Sequence, residues 1–294
     1  MKVVFQKFKK EVFIMITLLT LIAGAELVSS IVNAQTLDTL VNMDIHNFFY
    51  KAICLVVIFA FYLLFTYMLI RYQAYFNQKV ATWLRDRISH SIEATSYGRF
   101  YEKNSQTYIS WFTSDLEQIK GNAMNPTFEV IGGIISAVIS AVALFMYHWS
   151  IVLLAAICIV IMAVLPALFS AELTEKTIKV SEANEKFAKS ISDLLSGYDT
   201  LFVFRKLAYL KEKIHEKSVE VGDTHRDFSK SMAKVAVSGG IGNVFSQISV
   251  FILTGYLAYI GEVSIGSILA AMALSSTIFN VLGNISQKIG SIKS

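Results

Sequence analysis

Proline is nearly missing from this chain, with two residues in 294, and cysteine is equally rare. The two cysteines, Cys54 and Cys158, fall inside different apolar runs, so no disulfide framework or zinc spacing exists and both read as small buried apolar side chains. No glycine is followed by lysine anywhere, which removes the glycine-rich cradle that holds nucleotide phosphates. Five histidines, His46, His90, His148, His215 and His225, are dispersed with no pair at ligand spacing on one helical face. No serine sits in a nucleophile elbow and no paired carboxylates occur within an apolar run. Catalytic, cofactor-binding and metal-binding residues are therefore all expected to be none.

Long apolar stretches are abundant by contrast. They lie at Val12–Val32, Ala52–Ile70, Val130–Tyr147, Ile151–Ala171, Val235–Tyr259 and Ile265–Ile285. Each is about long enough to cross a hydrocarbon layer of roughly 30 Å as a helix. With 54% hydrophobic and 16% charged residues, the composition suits a bilayer better than a soluble domain. Positive charge is missing from one side. If the amino terminus is cytoplasmic, the outer segments hold Lys51 as their only Lys or Arg, and the other 25 of 26 basic residues fall inside. Lys2, Lys7, Lys9 and Lys10 before an apolar run, with Ala23-Gly24-Ala25 beyond, also resemble a cleavable signal peptide, but a run continuing to Val32 is too long for such a core.

A net charge of +4 does not point to nucleic acid, because bases and acids interleave: seven and five over residues 71–125, twelve and eleven over 172–234. The outer connections are short, whereas the two inner ones hold about sixty residues each, too many for structureless loops in a compact protein. Glu172–Lys176, Glu175–Lys179, Glu182–Lys186 and Glu185–Lys189 each place an acid four residues before a base, which supports an exposed helix. No proline or glycine interrupts Ala167–Ser196, so the fourth span is expected to run straight on, to break first at Gly197, and to resume at Lys206–Gly222. The first inner segment is expected to descend from Arg71 through Glu93, turn near Gly98–Gln106 and climb back from Asp115 to Asn125-Pro126. At 1.5 Å per residue such hairpins reach roughly 40 Å beyond the membrane. The expected fold is thus all-α: a polytopic membrane protein of six transmembrane helices, extended into the cytoplasm by two long helical hairpins, about 71–129 and 172–234, in a single domain over 1–294. Their tips either dock a cytoplasmic partner or are solvated arms.

A few polar residues sit at membrane depth. Glu26 faces either a cavity, where it would meet cationic cargo, or the outer headgroups beside Ser29 and Ser30. Glu129 reads as interfacial or arm-pairing. Asn243, Ser246 and Gln247, with Ser275, Ser276 and Asn280, favour one helical face, as a substrate pathway requires and as interhelical hydrogen bonding also requires. The Ser238-Gly239-Gly240-Ile241-Gly242 cluster is either a hinge or a close-packing surface.

Arg99-Phe100-Tyr101-Glu102-Lys103-Asn104, then Ser110 and Ser114-Asp115-Leu116-Glu117-Gln118-Ile119, resembles the first intracellular loop of the ABC exporter membrane domain. Leu194-Leu195-Ser196-Gly197-Tyr198 and Leu201-Phe202-Val203-Phe204 are similar to the region around that family's second coupling helix, and Val263-Ser264-Ile265-Gly266-Ser267-Ile268 to the opening of its sixth span. The chain departs from the pattern at Gln106, Trp111, Phe202 and Leu207, where glycine, arginine, lysine and glutamate are usual, and its first loop is one residue shorter before Ser110.

The resemblance implies the membrane-spanning half of an ATP-driven exporter in the cell membrane, multi-pass, with a cytoplasmic amino terminus. It implies pairing with a second copy or a homologous half-transporter, and a cytoplasmic nucleotide-binding domain that is absent from this chain and would supply ATP and Mg²⁺. Coupling to that ATPase would fall on Phe100, Tyr101, Glu102, Phe202, Phe204 and Arg205, although such aromatics can instead pack on their own neighbouring helices. Glu26, Asn243, Gln247, Ser276 and Asn280 would line the path of an exported substrate. By itself the chain is expected not to be an enzyme. The alternative is a non-transporting sensor or regulatory membrane subunit of the same fold, favoured by the altered loop tips. A passive or ion-coupled transporter would show short inner loops and more ionisable groups at the midplane, and shows neither.

Overall fold

A computed structural model describes the backbone of residues 2–293 and the side chains of residues 3–281. The elements, all helical, are α1 (Lys2–Lys7), α2 (Lys9–Val41), α3 (Ile45–Glu93), α4 (Tyr97–Phe100), α5 (Ser105–Phe112), α6 (Ser114–Gln118), a π-helical turn (Ile119–Met124), α7 (Asn125–Tyr147), α8 (Trp149–Ser196), α9 (Tyr198–Val203), α10 (Leu207–Tyr259) and α11 (Ser267–Lys293). Five stretches, α2, α3, Ser105–Tyr147, α8 and α10, are long and apolar enough to cross a membrane. The sixth expected span falls on α11, whose described apolar part, Ser267–Val281, is shorter, and residues 282–285 lie outside the described side chains.

Two compact units divide the chain, residues 1–156 with 247–294, and residues 157–246. In the first, α2 packs on α3, α7 and α11, and α7 packs on α11. Lipid tails are as apolar as leucine, so small residues that let helices approach closely hold such a bundle together. A Cβ on Gly132 would lie 2.8 Å from Leu19, and one on Gly133 would lie 3.0 Å from Val281. Ala23, Ala34, Ser140, Ala143, Ala270, Ala271 and Ser275 are all buried, while Phe59, Leu63, Val138 and Val142 are exposed on the outside.

At the charged end of this unit the first helix turns back on the bundle. Phe8 joins Val4, Val12, Met15, Phe76, Val80, Met124 and Phe128 in one buried cluster. Phe76 meets Phe128 edge-on at 5.3 Å, and Phe8 meets Trp83 edge-on at 5.9 Å. The Glu11 carboxylate accepts from the Lys79 ammonium, which also lies 5.8 Å from the centre of the Phe8 ring. At the opposite end, the Gly266 backbone N–H donates to Asp38 Oδ1 at 2.6 Å, tying the approach to α11 onto α2.

Reversals occur where the backbone chemistry allows them. Asp44 caps α3 by accepting from the Asn47 N–H, and Met43 before it adopts φ 56°. Gly261, at φ 84°, turns the chain after α10 in a conformation that side chains disfavour. Asn104 caps α5 through the Thr107 N–H at 2.9 Å.

In the second unit α8 runs unbroken through Pro166 to Ser196, Gly197 interrupts it, and α10 resumes at Leu207. Of the four ion pairs expected along α8, Glu175–Lys179 closes at 2.5 Å, whereas Glu172 turns away from Lys176 to accept from Lys234 at 2.8 Å and from the Ser231 hydroxyl. Glu182 and Glu185 form no ion pair among the described residues, in keeping with the small energy of a fully hydrated pair. The glycine cluster does not break α10. A Cβ on Gly242 would touch Leu165 and Met162 at 3.4 Å, and one on Gly239 would touch Pro166 at 3.7 Å, so two of these glycines lie at a helix–helix contact.

Candidate functional site

The first tip is built by α3 ending at Glu93, the single turn of α4, and α5 returning from Ser105. The climb back therefore begins about ten residues earlier than the Asp115 expected from sequence. It is not one helix: Thr113 (φ −123°, ψ −93°) separates α5 from α6, and the π turn follows. Side chains lace this limb to α3. The Arg85 guanidinium donates to the Phe112 carbonyl at 3.3 Å, and Asn125 Oδ1 accepts from Gln73 Nε2 at 3.0 Å and Asn77 Nδ2 at 2.9 Å. Asn77 is buried, and its Oδ1 has no hydrogen-bond partner in the structure.

The coupling candidates are placed unequally. Phe100 is half-buried and stacked on Tyr108 at 4.7 Å with planes 10° apart, while the Tyr108 hydroxyl donates to the Phe100 carbonyl. Tyr101 and Glu102 are exposed. At the second tip Phe202 and Phe204 are exposed; with Tyr101 they show 60%, 71% and 66% of their surface, enough free apolar area to anchor a partner. Arg205 follows in the left-handed region at φ 56°, a conformation that costs a non-glycine residue of order 1 kcal/mol and closes the turn through its N–H to the Phe202 carbonyl at 3.0 Å.

The pathway candidates are more scattered. Glu26 is half-buried on α2, with Ser29 and Ser30 donating to its backbone carbonyl and not to its carboxylate. Asn243 and Gln247 stand one turn apart on α10, both partly buried. Asn280 Nδ2 donates to Ser276 Oγ at 3.3 Å on α11, and Asn280 is exposed. Among the described residues these candidates stand on α2, α10 and α11. Among those residues no three of His, Cys, Asp and Glu gather as a metal site.

Three features escaped the sequence reading. The Gln73–Asn77–Asn125 cluster left only a faint sign, two amides at i and i+4 just past an apolar run. The Asp38–Gly266 clasp joins residues 228 positions apart and left none. The π turn contains Gly121 but no proline, so nothing local marked it.

Long apolar helices packed through small residues, with polar limbs continuing past them, define a multi-pass α-helical membrane domain. Residues 12–282 match the family described as the ABC transporter transmembrane region. The chain belongs to that family, and so is the membrane part of an ABC transporter and not its ATPase site. No curated protein matches the chain.

Proposed function

We propose that this chain is the membrane-spanning half of an ATP-driven exporter, crossing the cell membrane six times with its amino terminus in the cytoplasm, and that both units form one domain. The observation that carries this reading is the pair of helical limbs, α3 with α5–α7 and α8 with α10, that continue past the apolar stretches on the side that also holds nearly all the basic residues. Two hairpins on the charged side, ending in exposed Tyr101, Phe202 and Phe204, suit docking on a soluble motor. A nucleotide-binding domain, fused or separate, would bring ATP and Mg²⁺, and its closure would be passed along the limbs to the spans. Pairing with a second copy or a homologous half is supported by the second unit: from residue 159 to residue 230 no described side chain is buried, and Ile178, Leu195 and Val219 are exposed. Glu26, Asn243, Gln247, Ser276 and Asn280 are proposed to line the route of the exported substrate.

The test is binding of a purified ABC nucleotide-binding domain to the chain in lipid nanodiscs. Phe202→Ala with Phe204→Ala weakens that binding by about 2 kcal/mol or more if both aromatics anchor the motor. A wild-type chain that binds no motor favours the second reading, a sensor or regulatory membrane subunit. That reading draws on Gln106, Trp111, Phe202 and Leu207, which replace the residues usual at the tips, and on Phe100 being stacked away on Tyr108.

A further inference from the structure

Several cations along the two arms are matched by a carboxylate: Lys120 by Glu117, Lys179 by Glu175, Lys213 by Glu216, Lys217 by Glu220, Arg226 by Asp223, Lys230 by Asp227 and Lys234 by Glu172. Others have no such match among the described residues, and three of these meet at one pocket. The pocket, of about 630 Å³, opens near the first tip, walled by the lower turns of α3, by α4 and its following turn, and by α5. Arg87, Arg99 and Lys103 reach it from three different elements, with Glu102 as the only carboxylate on its lining. None of the three forms an ion pair among the described residues. Arg87 instead lies 5.6 Å from the Trp83 ring centre and Lys103 lies 4.4 Å from that of Trp111, contacts that hold a cation in place without neutralising it. Leu84, Ile88 and Ile92, spaced one turn apart on α3, form an aliphatic floor.

We propose that this pocket binds a compact soluble polyanion, a molecule carrying two or more phosphate or carboxylate groups. Its volume is that of a small-molecule site. Three converging cations against one acid call for at least two negative charges, and the planar guanidinium forks of Arg87 and Arg99 suit phosphate or carboxylate oxygens. The headgroups of the membrane that the chain spans do not reach it: Arg87 stands seventeen residues beyond Ile70 on one continuous helix, roughly 25 Å from the end of the apolar run. A bound polyanion would clamp α4 to α3 and set the posture of Tyr101 beside it. The inference needs only that this limb stands in water, and so holds for an exporter or a sensor alike.

The experiment is calorimetric titration of the full 294-residue chain, in nanodiscs of zwitterionic lipid at about 150 mM salt so that diffuse attraction is screened. The probes are inorganic pyrophosphate, citrate, oligoglutamate as an acidic peptide and, as a singly charged control, acetate. Saturable one-to-one binding of pyrophosphate or citrate, and none of acetate, is expected, and the stronger of the two identifies phosphate or carboxylate as the preferred group. Arg87→Gln and Arg99→Gln should each weaken binding roughly tenfold, the loss of one charge-assisted contact. Lys211→Gln, on the second arm, should leave it unchanged. Circular dichroism and thermal unfolding of each variant separate lost binding from lost folding. The proposal is overturned by the absence of saturable binding with both probes, by equal weakening in Lys211→Gln, or by binding confined to an acidic peptide such as oligoglutamate. A motor that fails to bind the tips leaves these outcomes unaffected.

Discussion

The two arms are built from similar amounts of chain by opposite means. In the first, the returning limb is broken into α5, α6 and a π turn, yet it is laced to α3 by Arg85, Gln73 and Asn77, and Leu116 and Met124 are buried in it. In the second, α8 and α10 are uninterrupted, their ion pairs are mostly three or four residues apart within one helix, and no described side chain is buried from 159 to 230. Helical continuity and tertiary packing are thus inversely related here. A limb that packs on its neighbour can bend to fit it, whereas a limb that buries no side chain against its neighbour depends mainly on its own backbone hydrogen bonds and local charge pairs. The lesson is that the smoother arm is the one that lacks a core and needs a second surface.

Two glycine substitutions contrast the packed bundle with the second arm. A Cβ on Gly266 would sit 1.9 Å from the Ala34 carbonyl oxygen, so Gly266→Ala must push the approach to α11 off α2 and lengthen the Asp38 hydrogen bond. The expected loss is on the order of 3 kcal/mol, at the upper end for overpacking, read from denaturant unfolding in detergent. Gly222, in the middle of α10, has nothing within 4 Å of its Cβ position. Gly222→Ala should therefore stabilise the isolated chain by about 0.5–1 kcal/mol through helix propensity. If Gly222→Ala instead destabilised the isolated chain, the second arm would have internal packing, and the contrast drawn between the arms would fail.

The lacing of the first arm is tested at Asn125. Asn125→Ala leaves the amides of Gln73 and Asn77 without their shared acceptor in a partly buried site, which costs about 2 kcal/mol. Amide hydrogen exchange in residues 73–80 and 119–125 should quicken together, while exchange in the second arm stays as it was. Faster exchange in only one of these stretches would mean that the two limbs open independently.

The sequence revealed those parts of this architecture that the solvent imposes. Hydrocarbon demands long uninterrupted apolar helices, so the runs at residues 12–32, 52–70, 130–147, 151–171 and 235–259 stood out by composition, and each lies within a stretch long enough to span. Gly197 announced the break between α8 and α10 because the surrounding stretch held no other glycine or proline. What depends on distant partners was hidden. Glu172 is four residues from Lys176 in sequence, yet it bonds Lys234 across the hairpin, a choice made by helix pairing and not by spacing. For Phe100 the sequence left docking on a partner and packing on a neighbouring helix both open, and it is Tyr108 on α5 that stacks on it. The pocket cations are separated in sequence and converge only because α4 folds α3 and α5 together.

The smallest effect concerns the charge pairs that sustain the second arm. Glu216 and Glu220 lie below the ordinary carboxylate range, chiefly through hydrogen bonds from Lys213 and Lys217 and then through the attraction of those same ammonium groups. A carboxyl whose folded value lies below its unfolded one stabilises the fold above the unfolded value, and that contribution disappears as pH falls through the folded value. Exchange protection near residues 213–220 should accordingly be full at neutral pH and fall on acidification below the usual glutamate range, after correction for the intrinsic pH dependence of exchange. With Glu216→Gln and Glu220→Gln that acid-induced step should vanish. The first arm near residues 82–86, where the Arg85 guanidinium bonds the Phe112 carbonyl and, among the described residues, no carboxylate, should show no such step; if both stretches loosened together in acid, local charge pairing would not be what distinguishes them.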